Sequence, residues 1–348
     1  MERVEGWLLC ENRPAGPGWK GEKLKLLPIF KLIEEDIAAV EEKLLETVGC
    51  KYTLLGEAVR HLLQDGGKRI RPALAILSAR LFQGKAFDYE KVLALAASVE
   101  LLHTATLVHD DLIDSSLLRR GKPTLNAFWE DGVVVLAGDY LFSLAASLCA
   151  RTEDPRIVSI FARTLETICD GELGRILGAG TWSATKDSYF QYIYSKTASL
   201  FATSTECGGI LSQAPEGGVR ALRDFGYHLG MAFQIMDDVL DFTGNEEELG
   251  KPIGSDLRQG TITLPTLYML GEHPQVENLR EKILAADRKE EDILAIIEMI
   301  KGSKAIEASR EEAREFAGKA KEALSSLPDN EYRRVMFRLA DYVVERRR

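Results

Sequence analysis

The chain has 348 residues, 45% of them hydrophobic and 28% charged, which fits a soluble globular protein of one large domain or two ordinary ones. Its 54 acidic side chains outnumber 44 basic ones, a formal net charge of -10, so the bulk charge offers no footprint for a nucleic-acid partner. Five cysteines without metal-ligand spacing or even pairing argue against a disulfide scaffold and point to a reducing, cytoplasmic setting.

In chain order, residues 1–24 read as a flexible leader punctuated by Pro14-Ala15-Gly16-Pro17-Gly18, and the opening MERVEGWLLC lacks the pattern of a secretory signal. Residues 25–348 read as a single all-helical domain. Helical spacing runs from Ile29 to Val48 and from Leu54 to Leu63, and a further helix starts near Arg71, with Pro72 tolerated in its first turn. Lys91 to Asp114 is mostly apolar, and Arg119 to Pro123 is a break. Asp131 to Cys149, Arg156 to Leu177, Lys186 to Cys207 and Val219 to Phe242 follow as helices. After a polar stretch from Thr243 to Asp256, helical pattern resumes at Leu264. It continues through Val276 to Ala285, Glu290 to Lys301, Ile306 to Leu327 and Glu331 to Val344. Runs of β-branched residues at period two are few, so the predicted class is all-α, a helical bundle. Val133 to Ala150, interrupted by Asp139, is predicted to be a buried helix rather than a membrane span.

One acidic pattern occurs twice, as Asp110-Asp111-Leu112-Ile113-Asp114 and as Asp237-Asp238-Val239-Leu240-Asp241, each at the end of an apolar helix. Positions four apart share a helix face, so Asp110 aligns with Asp114 and Asp237 with Asp241. Three carboxylates there repel one another and resist desolvation, and a divalent cation offsets that cost. Oxygen ligands suit magnesium, which also coordinates phosphate; neither stretch has an EF-hand spacing. A solvated helix end explains one such cluster about as well, but two copies after two apolar helices favour a diphosphate held between them.

Basic groups supply the complement: Lys68, Arg69 and Arg71 in Gly66-Gly67-Lys68-Arg69-Ile70-Arg71-Pro72, and Arg119-Arg120-Gly121-Lys122-Pro123 just after the first acidic cluster. Neither a P-loop nor a GxGxxG nucleotide signature is present. His103 precedes Asp110 by seven residues, nearly two helical turns, and so can share its face, whereas His109 reads as structural.

Taken together, GGKRIRP at 66–72, HTATLVHDDLID at 103–114, RRGKP at 119–123, SKTA at 195–198, GMAFQIMDDVLD at 230–241 and GKPIGSD at 250–256 resemble the trans-type polyprenyl (isoprenyl) diphosphate synthases. The resemblance runs from about Leu54 to the region of Leu339 to Arg346. It implies an isoprenoid synthase-type bundle around a deep central cavity, a homodimer, and head-to-tail (1'-4) condensation of isopentenyl diphosphate with dimethylallyl, geranyl, farnesyl or geranylgeranyl diphosphate. It also implies that Asp110, Asp111, Asp114, Asp237, Asp238 and Asp241 carry about three magnesium ions per active site. Arg119, Lys196 and Lys251 match groups on the allylic diphosphate, and Thr197 and Gln234 line its site. Lys68, Arg71, His103 and Arg120 match the isopentenyl diphosphate site.

Two departures from the family stand out. Arg175 replaces the usual glutamine after Gly171-Glu172, and Thr261 replaces the lysine that often follows the glycine at 260. In this family, bulky residues just before the first acidic motif close the cavity. Here Ala105 and Thr106 are small, which predicts an all-trans product longer than farnesyl, about C30 to C50, rather than geranylgeranyl diphosphate. Ser98, Leu101 and Leu102 lie deeper. So apolar a product implies weak association with a membrane surface. A terpene cyclase would share DDxxD but has no use for GGKRIRP, and a non-catalytic partner subunit would be expected to lose acidic residues that this chain keeps.

Overall fold

The computed structural model describes residues 28–49, 53–64, 67–84, 87–119, 121–177, 185–244, 252–285 and 289–346. The predicted leader, Arg120 and Lys251 lie outside them.

Helix starts follow local chemistry. A 3-10 turn, Pro28–Ile33, leads into α1 (Glu34–Thr47), followed by α2 (Thr53–Gln64) and α3 (Ile70–Leu81), which carries Pro72 in its first turn. The Asp88 side chain accepts from the Lys91 amide and caps α4 (Tyr89–Ile113). After α5 (Asp131–Ala150) and α6 (Pro155–Leu177), a Thr185–Ser188 capping box opens α7 (Lys186–Ile193). A π-helical turn, Tyr194–Ala198, then leads into α8 (Ser199–Leu211) and the long α9 (Glu216–Thr243). The C-terminal part comprises α10 (Ser255–Arg258), α11 (Leu264–Glu272), α12 (Val276–Leu284), α13 (Glu290–Gly302), α14 (Ala305–Leu324) and α15 (Glu331–Glu345), the last capped by Asn330.

The predicted all-α class is what the structure has. Helix α4 is apolar on nearly every side and runs through the middle, with Leu95, Val99, Leu101, Leu102 and Ala105 fully buried. It packs on α3, α5 and α8, and α9 packs on α8 and α14. Burying each such leucine contributes about 1.5–3 kcal/mol, so the end of α4 is a rigid platform for whatever it carries. A second apolar cluster around Phe242, Leu257, Ile297 and Ile300 anchors the far end of α9 to α10 and α13.

Four expectations need correcting. The break at 119–123 contains a small antiparallel ribbon that pairs Leu118 with Pro123 and Arg119 with Lys122. The helix predicted from Lys186 to Cys207 is interrupted by the π-helical turn. Helix α5 is not wholly buried: one side packs on α4, while Val133, Val135 and Leu136 stand 42%, 41% and 64% exposed. Composition gives a helix its apolar character but does not say what covers each side. Both α4 and α5 are long and apolar enough to cross a membrane, and α4 is mostly buried within the bundle.

The fourth correction is Arg69, which does not join Lys68 and Arg71 as a diphosphate-facing cation. Its backbone is left-handed (φ 45°), which turns the side chain inward. There it pairs with Glu41, with Glu100 at 2.6 Å, and with the Leu63 carbonyl.

Candidate active site

The π-helical turn holds Ser195, Lys196, Thr197 and Ala198. Such a turn inserts an extra residue into helical geometry and re-aims the side chains that follow. Two glycines let neighbouring helices close on it. A Cβ on Gly171 of α6 would lie 2.5 Å from Ser195 Cβ, and one on Gly230 of α9 would lie 2.5 Å from Ala198 Cα. The turn is thus wedged between α6 and α9.

On one side stands the first acidic motif, with Asp110 and Asp111 in the last turn of α4 and Asp114 as its C-cap. This is the negative end of the helix dipole, where carboxylates are disfavoured without cations. Lys196 Nζ lies 3.3 Å from Asp110 Oδ2 and 2.9 Å from Glu172 Oε1. Arg119 Nε donates to both Asp111 carboxylate oxygens at 2.9 Å. Arg175 Nε donates to Glu172 Oε2 at 2.9 Å, and its Nη2 lies 3.3 Å from Asp114 Oδ1. Tyr192 donates its hydroxyl to Glu172 at 3.2 Å. Burial pushes Asp110 and Asp111 above the usual carboxylate range. Burial opposes the charge on Lys196, but the carboxylates of Asp110 and Glu172 outweigh it and hold the ammonium above the ordinary lysine range.

On the other side stands the second motif, in the last two turns of α9, with Asp238 and Asp241 buried. Tyr189 donates to Asp238 at 2.6 Å, and Gln234 Nε2 donates to it at 2.9 Å. Thr197 in turn donates to Gln234 Oε1 at 2.6 Å. The Asp256 amide donates to Asp241 at 3.2 Å, which folds the Gly254-Ser255-Asp256 turn onto the motif. Burial, then the neighbouring Asp256, pushes Asp238 far above the carboxylate range. Arg346 at the end of α15 reaches Asp237 Oδ1 at 2.8 Å and lies 4.0 Å over the Phe233 ring.

An aromatic step leads from there to the first basic segment. Phe233 meets Phe201 with ring centroids 5.3 Å apart, and the Arg71 guanidinium lies 5.0 Å over Phe201. Lys68 Nζ is 6.0 Å from the Tyr342 ring centroid, so α15 overlies the start of α3. His103 is half-buried on α4, seven residues before Asp110. His109 turns to α5 instead, with Nε2 3.1 Å from the Val135 carbonyl and its ring against Phe142. Ala105 is fully buried and Thr106 half-buried above Ser98, whose hydroxyl donates to the Ala145 carbonyl of α5 at 2.9 Å.

The donor set fits a divalent cation that keeps most of its water. Among the described residues, no three acids converge tightly enough for an all-protein cage. Two hard-oxygen clusters, in which burial pushes Asp111 and Asp238 above the carboxylate range, beside arginines and a lysine, suit magnesium shared with a phosphate ligand. Glu172, Tyr189, Tyr192, Asp256 and Arg346 were not assigned roles from sequence. Glu172 and Asp256 fall within quoted motif segments, whereas nothing in the sequence marks the two tyrosines. Of the two departures, Arg175 joins the first motif, and Thr261 bonds through its amide to the Asp256 carbonyl at 2.9 Å.

The family model described as polyprenyl synthetase matches residues 52–300. The chain belongs to the polyprenyl synthetase family. It is a prenyltransferase, and its fold is that of the family's solved members. Heptaprenyl diphosphate synthase component 2 of Geobacillus stearothermophilus is 42% identical over 93% of this chain and 99% of its own. A polyprenyl synthase from Caulobacter crescentus, solved with calcium and isoprenyl diphosphate, superposes with a TM-score of 0.87 at 36% identity, covering 92% of this chain and 97% of its own. A decaprenyl diphosphate synthase from Rhodobacter capsulatus superposes at 0.84 with 38% identity, covering 92% and 98%.

Proposed function

We propose that this prenyltransferase is a magnesium-dependent polyprenyl diphosphate synthase. It extends an allylic diphosphate with isopentenyl diphosphate by head-to-tail condensation, to an all-trans product of about C30 to C50. The observation that carries the proposal is the π-helical turn, from which Lys196 reaches the first acidic motif directly and Thr197 reaches the second through Gln234.

In this reading, breaking the allylic carbon–oxygen bond leaves negative charge on diphosphate, and Lys196 and Arg119 are placed to stabilise it. Magnesium, when bound by the six motif aspartates, supplies Lewis-acid stabilisation of the same charge. The buried face of α4 below Asp110, including Ala105, keeps water from the allylic cation. Lys68, Arg71, His103 and Arg120 hold isopentenyl diphosphate so that its double bond attacks that cation. Loss of a proton then restores a double bond in the extended chain. Arg119, Lys196, Thr197, Gln234 and Lys251 hold the allylic diphosphate.

The exposed apolar face of α5 is read as the place where a second copy docks to form a homodimer. A second reading is that this chain acts as one component of a synthase, as the Geobacillus relative is named component 2 of a heptaprenyl diphosphate synthase. The test is diphosphate release by the purified protein alone. Release that needs both an allylic diphosphate and isopentenyl diphosphate supports the synthase. Release from the allylic substrate alone would instead mark a cyclase, and none from any allylic primer would favour a partner-dependent component.

A further inference from the structure

Arg175, one of the two positions read from the sequence as departures from the family pattern, is held asymmetrically. On α6, Glu172 and Arg175 are three residues apart and so share a face. The Nε end of the guanidinium is tied to Glu172 at 2.9 Å, a normal charge-assisted hydrogen bond, while Nη2 stands 3.3 Å from Asp114, longer than such bonds usually are. The side chains of Arg175 and Asp114 are 21% and 25% exposed, so the outer contact sits where solvent and ligands reach it. Glu172 is also held by Lys196 and Tyr192, which fixes the anchor and leaves the outer end as the part that yields.

A cation approaching Asp114 must therefore share this carboxylate with the guanidinium or displace it. A guanidinium displaced from a carboxylate pairs readily with phosphate oxygens, which match its planar fork. We propose that Arg175 is a tethered counter-ion of Asp114. It competes with the divalent cation for that carboxylate and releases it when a diphosphate arrives to take the guanidinium. This rests on reading Asp114 as a metal ligand. Metal loading at the first motif is then coupled to substrate in a way a glutamine at 175 would not provide.

The experiment measures binding rather than turnover. The full chain is titrated with farnesyl thiolodiphosphate, a slowly reacting analogue, at a series of magnesium concentrations by calorimetry. The magnesium concentration for half-maximal binding is compared in wild type, Arg175→Gln, Arg175→Lys and Asp114→Asn. Removing the competitor should lower that concentration in Arg175→Gln by roughly twofold to fivefold, the effect of one partly exposed ion pair, while weakening analogue affinity at saturating magnesium. Arg175→Lys, which keeps the charge, should move back towards wild type. An unchanged or raised magnesium requirement in Arg175→Gln would overturn the proposal. If instead Asp114→Asn matched wild type, or wild type bound the analogue without regard to magnesium, the reading of Asp114 as a metal ligand would fail, and this proposal with it.

Discussion

Lys196 and Thr197 are consecutive, yet Lys196 Nζ lies 3.3 Å from Asp110 at the end of α4 and Thr197 Oγ1 donates at 2.6 Å to Gln234 on α9. One turn of chain therefore ties together two acidic motifs that are more than a hundred residues apart in sequence. Its position is set by Gly171 and Gly230, which allow α6 and α9 to close on Ser195 and Ala198.

Replacing Lys196 by alanine should lower kcat by about 10²- to 10³-fold, the usual effect of removing one preorganised charge stabiliser. Helix content by circular dichroism should stay as in wild type, because the side chain is part of the site rather than of the apolar core. Steady-state kinetics at saturating magnesium reads the effect.

Arg69 should matter for stability instead. Its guanidinium is buried against Glu41 and Glu100, and removing one partner of a buried ion pair leaves the others uncompensated, at a cost of about 3–5 kcal/mol. Arg69→Met is expected to lower the urea midpoint clearly, while KM values of the protein that remains folded change little. A large KM effect with unchanged stability would return Arg69 to the substrate site.

Ala105→Phe should shorten the product. Position 105 is fully buried five residues before Asp110, and in the proposed reading a ring there would block the path of the growing chain. Chain sizing by reversed-phase thin-layer chromatography is the check. An active variant with an unchanged product distribution would place the gate deeper, at Leu101, Leu102 or Ser98.

Leu136→Glu tests the face of α5. Leucine at 64% exposure leaves room for the carboxylate in an isolated chain, so folding should persist while the proposed homodimer dissociates to monomers in light scattering. A variant that remains dimeric would put the subunit interface elsewhere.

Much of this was legible in the sequence, for physical reasons. Apolar periodicity ending in paired aspartates located α4, α9 and both motifs, because helix period and local charge are short-range properties. The π-helical turn was not legible, since Tyr-Ser-Lys-Thr-Ala contains no breaker and its geometry comes from packing against Gly171 and Gly230. Arg69 sits between Lys68 and Arg71 and shares their chemistry, so only its left-handed backbone reveals that it points inward. Arg346 reaches Asp237 from the far end of the chain, a contact set by how α15 docks and by no local signal. The open face of α5 escaped for a similar reason: hydropathy reports what a helix buries against only when the partner is known.

The most direct test of the central claim is to incubate the purified protein with magnesium, radiolabelled isopentenyl diphosphate and farnesyl diphosphate, and to size the extracted prenyl chains with and without a chelator. The account predicts a ladder ending in one dominant product of about C30 to C50, abolished by the chelator. Absence of label in any prenyl chain, with dimethylallyl, geranyl and farnesyl primers alike, would contradict it.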